Sequence, residues 1–219
     1  MSENIIIRRV EAPGKHLCGL SWDGKRIWHS DGKENYIYSL MNNQFIEQIK
    51  MTNIRTDLTV HGNRIFQIAG LHKKEICVLT KTEGKLLTKL RLDRHDGLCG
   101  MEYYNEGLWL GYKDPGEIIY YSLRENKVMD RYYVNKNIAG LTYDSDNEIV
   151  VFADFDESSI NFFQLNTCKL MTEELDFQAT GLTFDGENFW IADFFNHEVK
   201  VLNGKYYIEK CKKFFYDNE

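Results

Sequence analysis

A chain of 219 residues that is 43% hydrophobic and 27% charged can bury one core of ordinary size, or two small ones. Its formal net charge of -6 and pI near 5.6 argue against a nucleic-acid surface, which needs clustered Lys and Arg to neutralise phosphates. No apolar run of about eighteen residues is present, so no membrane-spanning helix is expected, and five scattered cysteines without a Cys-x-x-Cys pair indicate neither a disulfide framework nor a zinc ribbon.

In chain order, the apolar stretch Ile5 to Ile7 precedes the basic pair Arg8-Arg9 with no small-residue cleavage site beyond, which is not the order of a secretory leader. A cytoplasmic location is the expectation. Copies of one unit then follow, each opening on a short tetrad: Gly19-Leu20-Ser21-Trp22, Asp57-Leu58-Thr59-Val60, Gly100-Met101-Glu102-Tyr103, Gly140-Leu141-Thr142-Tyr143 and Gly181-Leu182-Thr183-Phe184. The tetrads are separated by 38 to 43 residues, so five units of about forty fill the chain.

Each unit turns at Asp, Gly or Asn, as at Asp23-Gly24 and Asp185-Gly186, and enters a second strand carrying a large apolar residue: Trp28, Phe66, Trp109, Val151 or Trp190. An alternating third strand and a more polar fourth complete it. Four short strands per unit, turn residues between them and no helical periodicity predict an all-β chain, a single five-bladed β-propeller domain with blades near 16–51, 54–92, 97–134, 137–177 and 178–215. The first strand of each blade lines the axis and the fourth lies on the rim. The last fourth strand is expected at Tyr206 to Phe215, where Lys210, Lys212 and Lys213 suit a charged outer edge. Ile5 to Val10 competes for the same place, because it precedes the first tetrad as a fourth strand precedes each later one.

Residues that depart from their column in the repeat are the candidates for function, above all in the loops around the channel mouth. Glu102 is a carboxylate in a column of hydroxyls, and burial near the axis would raise its pKa or demand a cation. Asp57 stands where the other units have Gly, with Arg55 two residues before it. His29 and Gln67 replace apolar residues of the second strand, which points to a polar pocket or to a hydrogen bond between them. The column before the Gly holds Cys18, Thr56, Cys99, Ala139 and Thr180, all small. His16 precedes Cys18 and His95 precedes Cys99, so imidazoles, thiols and carboxylates facing one channel make a divalent metal the cofactor to consider. Asp31, Asp154 and Asp193 end second strands and read mainly as turn residues, although Asp154-Phe155-Asp156-Glu157 also offers oxygen ligands to calcium. Tyr112, Phe194 and Phe195 form an aromatic rim in the same loops. No Gly-x-Ser-x-Gly, phosphate-binding glycine loop or His-Glu-x-x-His occurs.

Gly181-Leu182-Thr183-Phe184-Asp185-Gly186, continuing to Phe189-Trp190-Ile191-Ala192-Asp193, resembles the repeat of the propeller group that includes NHL, SMP-30-like and glutaminyl cyclotransferase-type proteins. The likeness covers nearly the whole chain. Five blades and a short length are most similar to the plant-type glutaminyl cyclotransferases, whose resemblance implies acidic and amide side chains around the anchor glycine. Here those slots hold Cys18, Thr56, Cys99, Ala139 and Thr180, with Glu102 or Asp57 adjacent. The expectation is therefore a module that binds a small molecule, a peptide segment or a protein partner at its channel mouth. The alternative is an enzyme, either a cyclotransferase-like aminoacyl transferase or a metal-assisted lactonase or hydrolase, using Glu102 and Asp57. The ligand-binding set expected at the mouth is His16, His29, Arg55, Gln67, Tyr112, Asp154, Asp193 and Phe194.

Overall fold

The computed structural model describes residues 5–216. The chain begins with strand β1 (Ile6–Glu11) and then lays down four sheets in sequence order. Blade 1 is β2 (Leu17–Trp22), β3 (Ile27–Asp31), β4 (Tyr36–Met41) and β5 (Gln44–Lys50). Blade 2 is β6 (Ile54–His61), β7 (Arg64–Ala69), β8 (Glu75–Thr80) and β9 (Leu86–Leu90). Blade 3 is β10 (Leu98–Tyr104), β11 (Gly107–Tyr112), β12 (Glu117–Ser122) and β13 (Lys127–Tyr133). Blade 4 is β14 (Ile138–Asp144), β15 (Ile149–Asp154), β16 (Ser159–Gln164) and β17 (Lys169–Glu174). Blade 5 runs outward from β18 (Ala179–Phe184) through β19 (Phe189–Asp193) and β20 (Glu198–Leu202), and its outermost strand is β1. The innermost strands β2, β6, β10, β14 and β18 touch one another in a closed cycle, which makes the molecule a five-bladed β-propeller.

The core is divided among the gaps between blades. Each of five buried apolar clusters joins two neighbouring blades, for example Phe66, Ile68 and Val78 of blade 2 against Leu98, Met101 and Leu110 of blade 3. This is why second strands are buried on both faces and read as nearly continuous apolar runs, while β9 and β13 are largely exposed.

The expected fourth strand at Tyr206 to Phe215 is instead a helix, α1 (Gly204–Tyr216). The outer place in blade 5 is taken by β1, which pairs antiparallel with β20 from Ile6 opposite Leu202 to Glu11 opposite Glu198. With that edge satisfied, the C-terminal segment buries its apolar side chains as a helix does. Tyr207, Cys211 and Phe215 recur at four-residue steps and face inward, while Lys205, Lys212 and Lys213 stay in solvent. Asn203 caps the helix, its Oδ1 accepting from the Tyr206 amide at 3.2 Å. Tyr207 stacks on Phe162 of blade 4, and Lys210 pairs with Glu173 of β17 at 2.6 Å, so α1 seals the seam between blades 4 and 5.

Candidate functional site

Local chemistry fixes the mouth before any ligand is considered. In every blade the pairing of first and second strands shifts register at the residues around the anchor position, at Leu17/Gly19, Ile54/Leu58, Leu98/Gly100, Ile138/Gly140 and Ala179/Leu182. Such bulges re-aim a side chain, and here Cys18, Thr56, Cys99, Ala139 and Thr180 all line one axial cavity. The glycines that follow them are dictated by crowding: a Cβ on Gly181 would sit 2.7 Å from the Gly19 Cα, and one on Gly100 would sit 2.7 Å from the Leu141 Cβ.

The cavity has a volume of about 220 Å³. Its wall is built in ring order. His16 comes from blade 1, Arg55 from blade 2, Lys113 from blade 3, Asn137, Phe155 and Asp156 from blade 4, and Phe194 from blade 5. The second-strand aspartates hold this wall in place. Asp31 accepts the His16 amide at 2.7 Å, and Asp154 accepts the Asn137 amide at 2.9 Å, while the other oxygen of each closes its own turn. Asp193 closes the matching turn in blade 5 and pairs with the buried Lys200 at 2.6 Å. A larger, shallower groove of about 780 Å³ lies at the opposite end between blades 2 and 3, by the β6–β7 turn. The axial cavity is the better site because all five blades converge on it.

Beneath the cavity the axis is closed by polar groups that bond to one another. Asp57 is fully buried, and its carboxylate accepts the backbone amides of Leu58 (3.0 Å), Met101 (2.9 Å) and Leu141 (3.2 Å), drawn from three blades. Burial pushes its pKa well above the ordinary carboxylate range, the three amides oppose this, and the Glu102 charge adds to the rise. The hydroxyl column forms a second ring. Ser21 accepts the Val60 amide at 2.9 Å, Thr59 that of Tyr103 at 3.1 Å, Thr142 that of Phe184 at 3.3 Å and Thr183 that of Trp22 at 3.0 Å, each from the next blade round. Glu102 takes the hydroxyl's place in blade 3, accepting from the Thr59 and Thr142 hydroxyls, both at 2.8 Å, and from the Tyr103 amide at 3.1 Å. Burial raises its pKa to about 7 against those three donors. Glu102 keeps partial contact with solvent, whereas the four hydroxyl residues of the column have none to speak of.

Of the residues singled out by sequence, His16, Arg55 and Phe194 line the cavity and Asp57, Glu102, His29, Gln67, Tyr112, Asp154 and Asp193 do not. His29 and Gln67 do not bond to each other. The His29 ring nitrogens lie 3.4 Å and 3.3 Å from the Gly19 and Pro13 carbonyls, and the Gln67 amide donates to the carbonyls of Thr56 (2.9 Å), Asp57 (3.1 Å) and Ile68 (3.1 Å). Both satisfy backbone that the bulges leave without a ladder partner. Burial lowers the His29 pKa, against the Pro13 and Gly19 carbonyls, which raise it. Tyr112 points between blades 2 and 3, its hydroxyl donating to the Arg94 carbonyl at 3.2 Å. Lys113 and Asn137 were not singled out by sequence. Each sits just outside the aligned columns, and the only signal for them is their place after a second strand and before a first. Among the described residues no group of three or more His, Cys, Asp and Glu side chains could hold a metal ion.

No protein-family profile matches the sequence, and no curated protein matches it either. Solved structures do. The chain is similar to Myxococcus xanthus glutaminyl cyclase, with a TM-score of 0.68 at 11% identity over 90% of this chain and 94% of that one. A luciferin-regenerating enzyme gives 0.61 at 15% identity, with 90% and 76% covered, and a streptogramin B lyase gives 0.55 at 19%, with 90% and 70% covered. At these identities the likeness is one of fold, which hosts many functions. No described helix is long and apolar enough to cross a membrane.

Proposed function

We propose that this propeller is a binding module that holds a small molecule, or a segment of a peptide or protein partner, at its channel mouth without chemistry of its own. The observation that supports this most directly is where the polar groups are already satisfied. Asp57 and Glu102, the two axial carboxylates, spend their oxygens on backbone amides and hydroxyls outside the cavity. Arg55 and Lys113 in the wall have no carboxylate within ion-pair distance among the described residues, and the Thr180 hydroxyl at the floor has no partner. A small apolar-and-polar cavity with unspent donors is the ordinary form of a ligand site. A ligand screen by thermal shift tests this, with the mouth double variant Phe194→Ala/Arg55→Gln as control. Compounds should stabilise the parent and not the variant; stabilisation of both to the same extent would move the site elsewhere.

A second reading is aminoacyl cyclisation of the kind named for the Myxococcus xanthus protein. It is favoured by the shared fold and by Glu102, whose pKa of about 7 suits a general acid or base. Release of ammonia from a peptide with N-terminal Gln, abolished in Glu102→Gln with folding unchanged, would replace the first reading with this one.

A further inference from the structure

Resting on the reading of the mouth as a binding site, we infer that its ligand is a small organic anion with a flat apolar body, an aryl-substituted carboxylate in chemical class. The wall is divided into two halves. Arg55 and Lys113 come from adjacent blades 2 and 3. Lys74 of blade 2 stands beside them, its Nζ donating to the Leu98 carbonyl at 2.6 Å and to the Cys99 thiol, a lining group, at 3.4 Å. The partly or fully buried carboxylates of the blades are spent on other cations: Glu117 on Arg94 and Arg131, Asp193 on Lys200, Asp23 on Lys81. Among the described residues none of Arg55, Lys113 and Lys74 has an ion-pair partner, so the basic half of the mouth keeps its field for an incoming charge.

The opposite half is aromatic. Phe155 of blade 4 and Phe194 of blade 5 meet edge to face at 5.5 Å, and Phe194 meets the His16 ring in the same way at 5.3 Å. Phe195 meets Phe194 at 5.2 Å and Phe155 at 6.2 Å as well, and this packing fixes the two rings where they line the cavity. The one carboxylate of the lining, Asp156, lies on this side and accepts from the Asn137 side-chain Nδ2 at 3.1 Å. Two lining cations, Arg55 and Lys113, against that one carboxylate leave the lining net positive. A volume of about 220 Å³ is below the roughly 300–1,000 Å³ of a drug-sized site, which limits the buried part to a single ring with a short acidic chain.

Calorimetric titration of the full chain with three probes of matched size tests the assignment: 3-phenylpropionate, 3-phenylpropionamide and 3-phenylpropylamine. The carboxylate should bind about tenfold tighter than the amide or the amine, and its affinity should fall as sodium chloride is raised. Arg55→Gln and Lys113→Gln, both at exposed positions, should each weaken it several-fold and together remove the preference for the carboxylate. An amide or amine that binds as well as the carboxylate, or a double variant of unchanged affinity, overturns the anion assignment. The mouth reading survives that result if Phe194→Ala weakens whichever probe binds, and falls if Phe194→Ala is also without effect. Binding by none of the probes overturns the anion assignment alone, because the ligand screen tests the mouth separately.

Discussion

Glu102→Gln removes a carboxylate that the folded ring prefers in its protonated form. Burial lifts its pKa from 4.5 to about 7, so the folded protein keeps the proton over a range in which the unfolded chain has released it. Between those two values the unfolded state binds fewer protons, and stability falls as pH rises; the contribution is complete below 4.5 and lost by about 7. At about 1.4 kcal/mol per unit the full shift is worth about 3 kcal/mol, and partial solvent contact at Glu102 together with the incomplete span from about pH 5 to 8 brings the expected loss to about 2 kcal/mol. Urea unfolding of parent and variant at those two pH values measures it. The parent should lose about 2 kcal/mol more than Glu102→Gln on going to the higher pH, while Asp57, raised in the same direction, leaves a residual slope common to both. Identical pH dependence in the two proteins would refute the account of Glu102 as a carboxyl whose proton burial retains.

Other consequences are read from side chains with a single clear role. Burial pushes the Cys18 and Cys211 thiols up to about 12 and raises that of Cys77, whereas Cys168 is exposed, so iodoacetamide at mildly alkaline pH should label Cys168 first. Rapid labelling of Cys18 or Cys211 in the native protein would contradict their burial. Phe215→Ala should cost about 3–5 kcal/mol by emptying the seam under α1, as judged by urea midpoints; a loss below about 1 kcal/mol would mean the helix is not docked as described. Asp185→Ala removes the acceptor of the Glu187 and Asn188 amides and of the Trp190 indole, bonded at 2.8, 2.6 and 2.6 Å, and should cost about 2 kcal/mol. A neutral effect would show that the turn and indole are held by packing alone.

The repeat was legible because the blade imposes the same demands five times. The tetrads mark where inner strands crowd at Gly, where a hydroxyl staples to the next blade, and where a turn follows. Asp23 and Asp185 recur for one reason, since each closes a turn and holds the indole of the following strand, Trp28 at 2.7 Å and Trp190 at 2.6 Å. Blade 3 lacks that Asp, and the Trp109 indole nitrogen is without a partner. The chain ends were not legible. Both terminal segments carried enough apolar residues for an outer strand, and only the pairing with β20 decides between them; Tyr207, Cys211 and Phe215 fit a helical face, but the adjoining aromatic residues Tyr206, Phe214 and Tyr216 hide that period. In the site, departure from a column found Glu102, Asp57, His29 and Gln67, yet each answers a demand of the ring itself. Phe155 follows Asp154 as Phe194 follows Asp193, whereas Lys113 and Asn137 were outside the columns compared, and the third dimension brings them to Arg55 and Phe194.

The pairing of β1 with β20 also fixes how the molecule meets a mechanical load. Ile6, where β1 begins, lies opposite Leu202, where β20 ends, so once α1 has left its seam, tension between the two ends falls first on that one pair. The ladder then opens like a zip, pair by pair toward Glu11 and Glu198, and never has to yield along its whole length at once. Blades 1 to 4 carry their own outer strands from consecutive sequence and are not on that line of force. A pull on the ends would thus strip α1 from its seam and then release the single strand β1, while the contact of β18 with β2 still closes the ring.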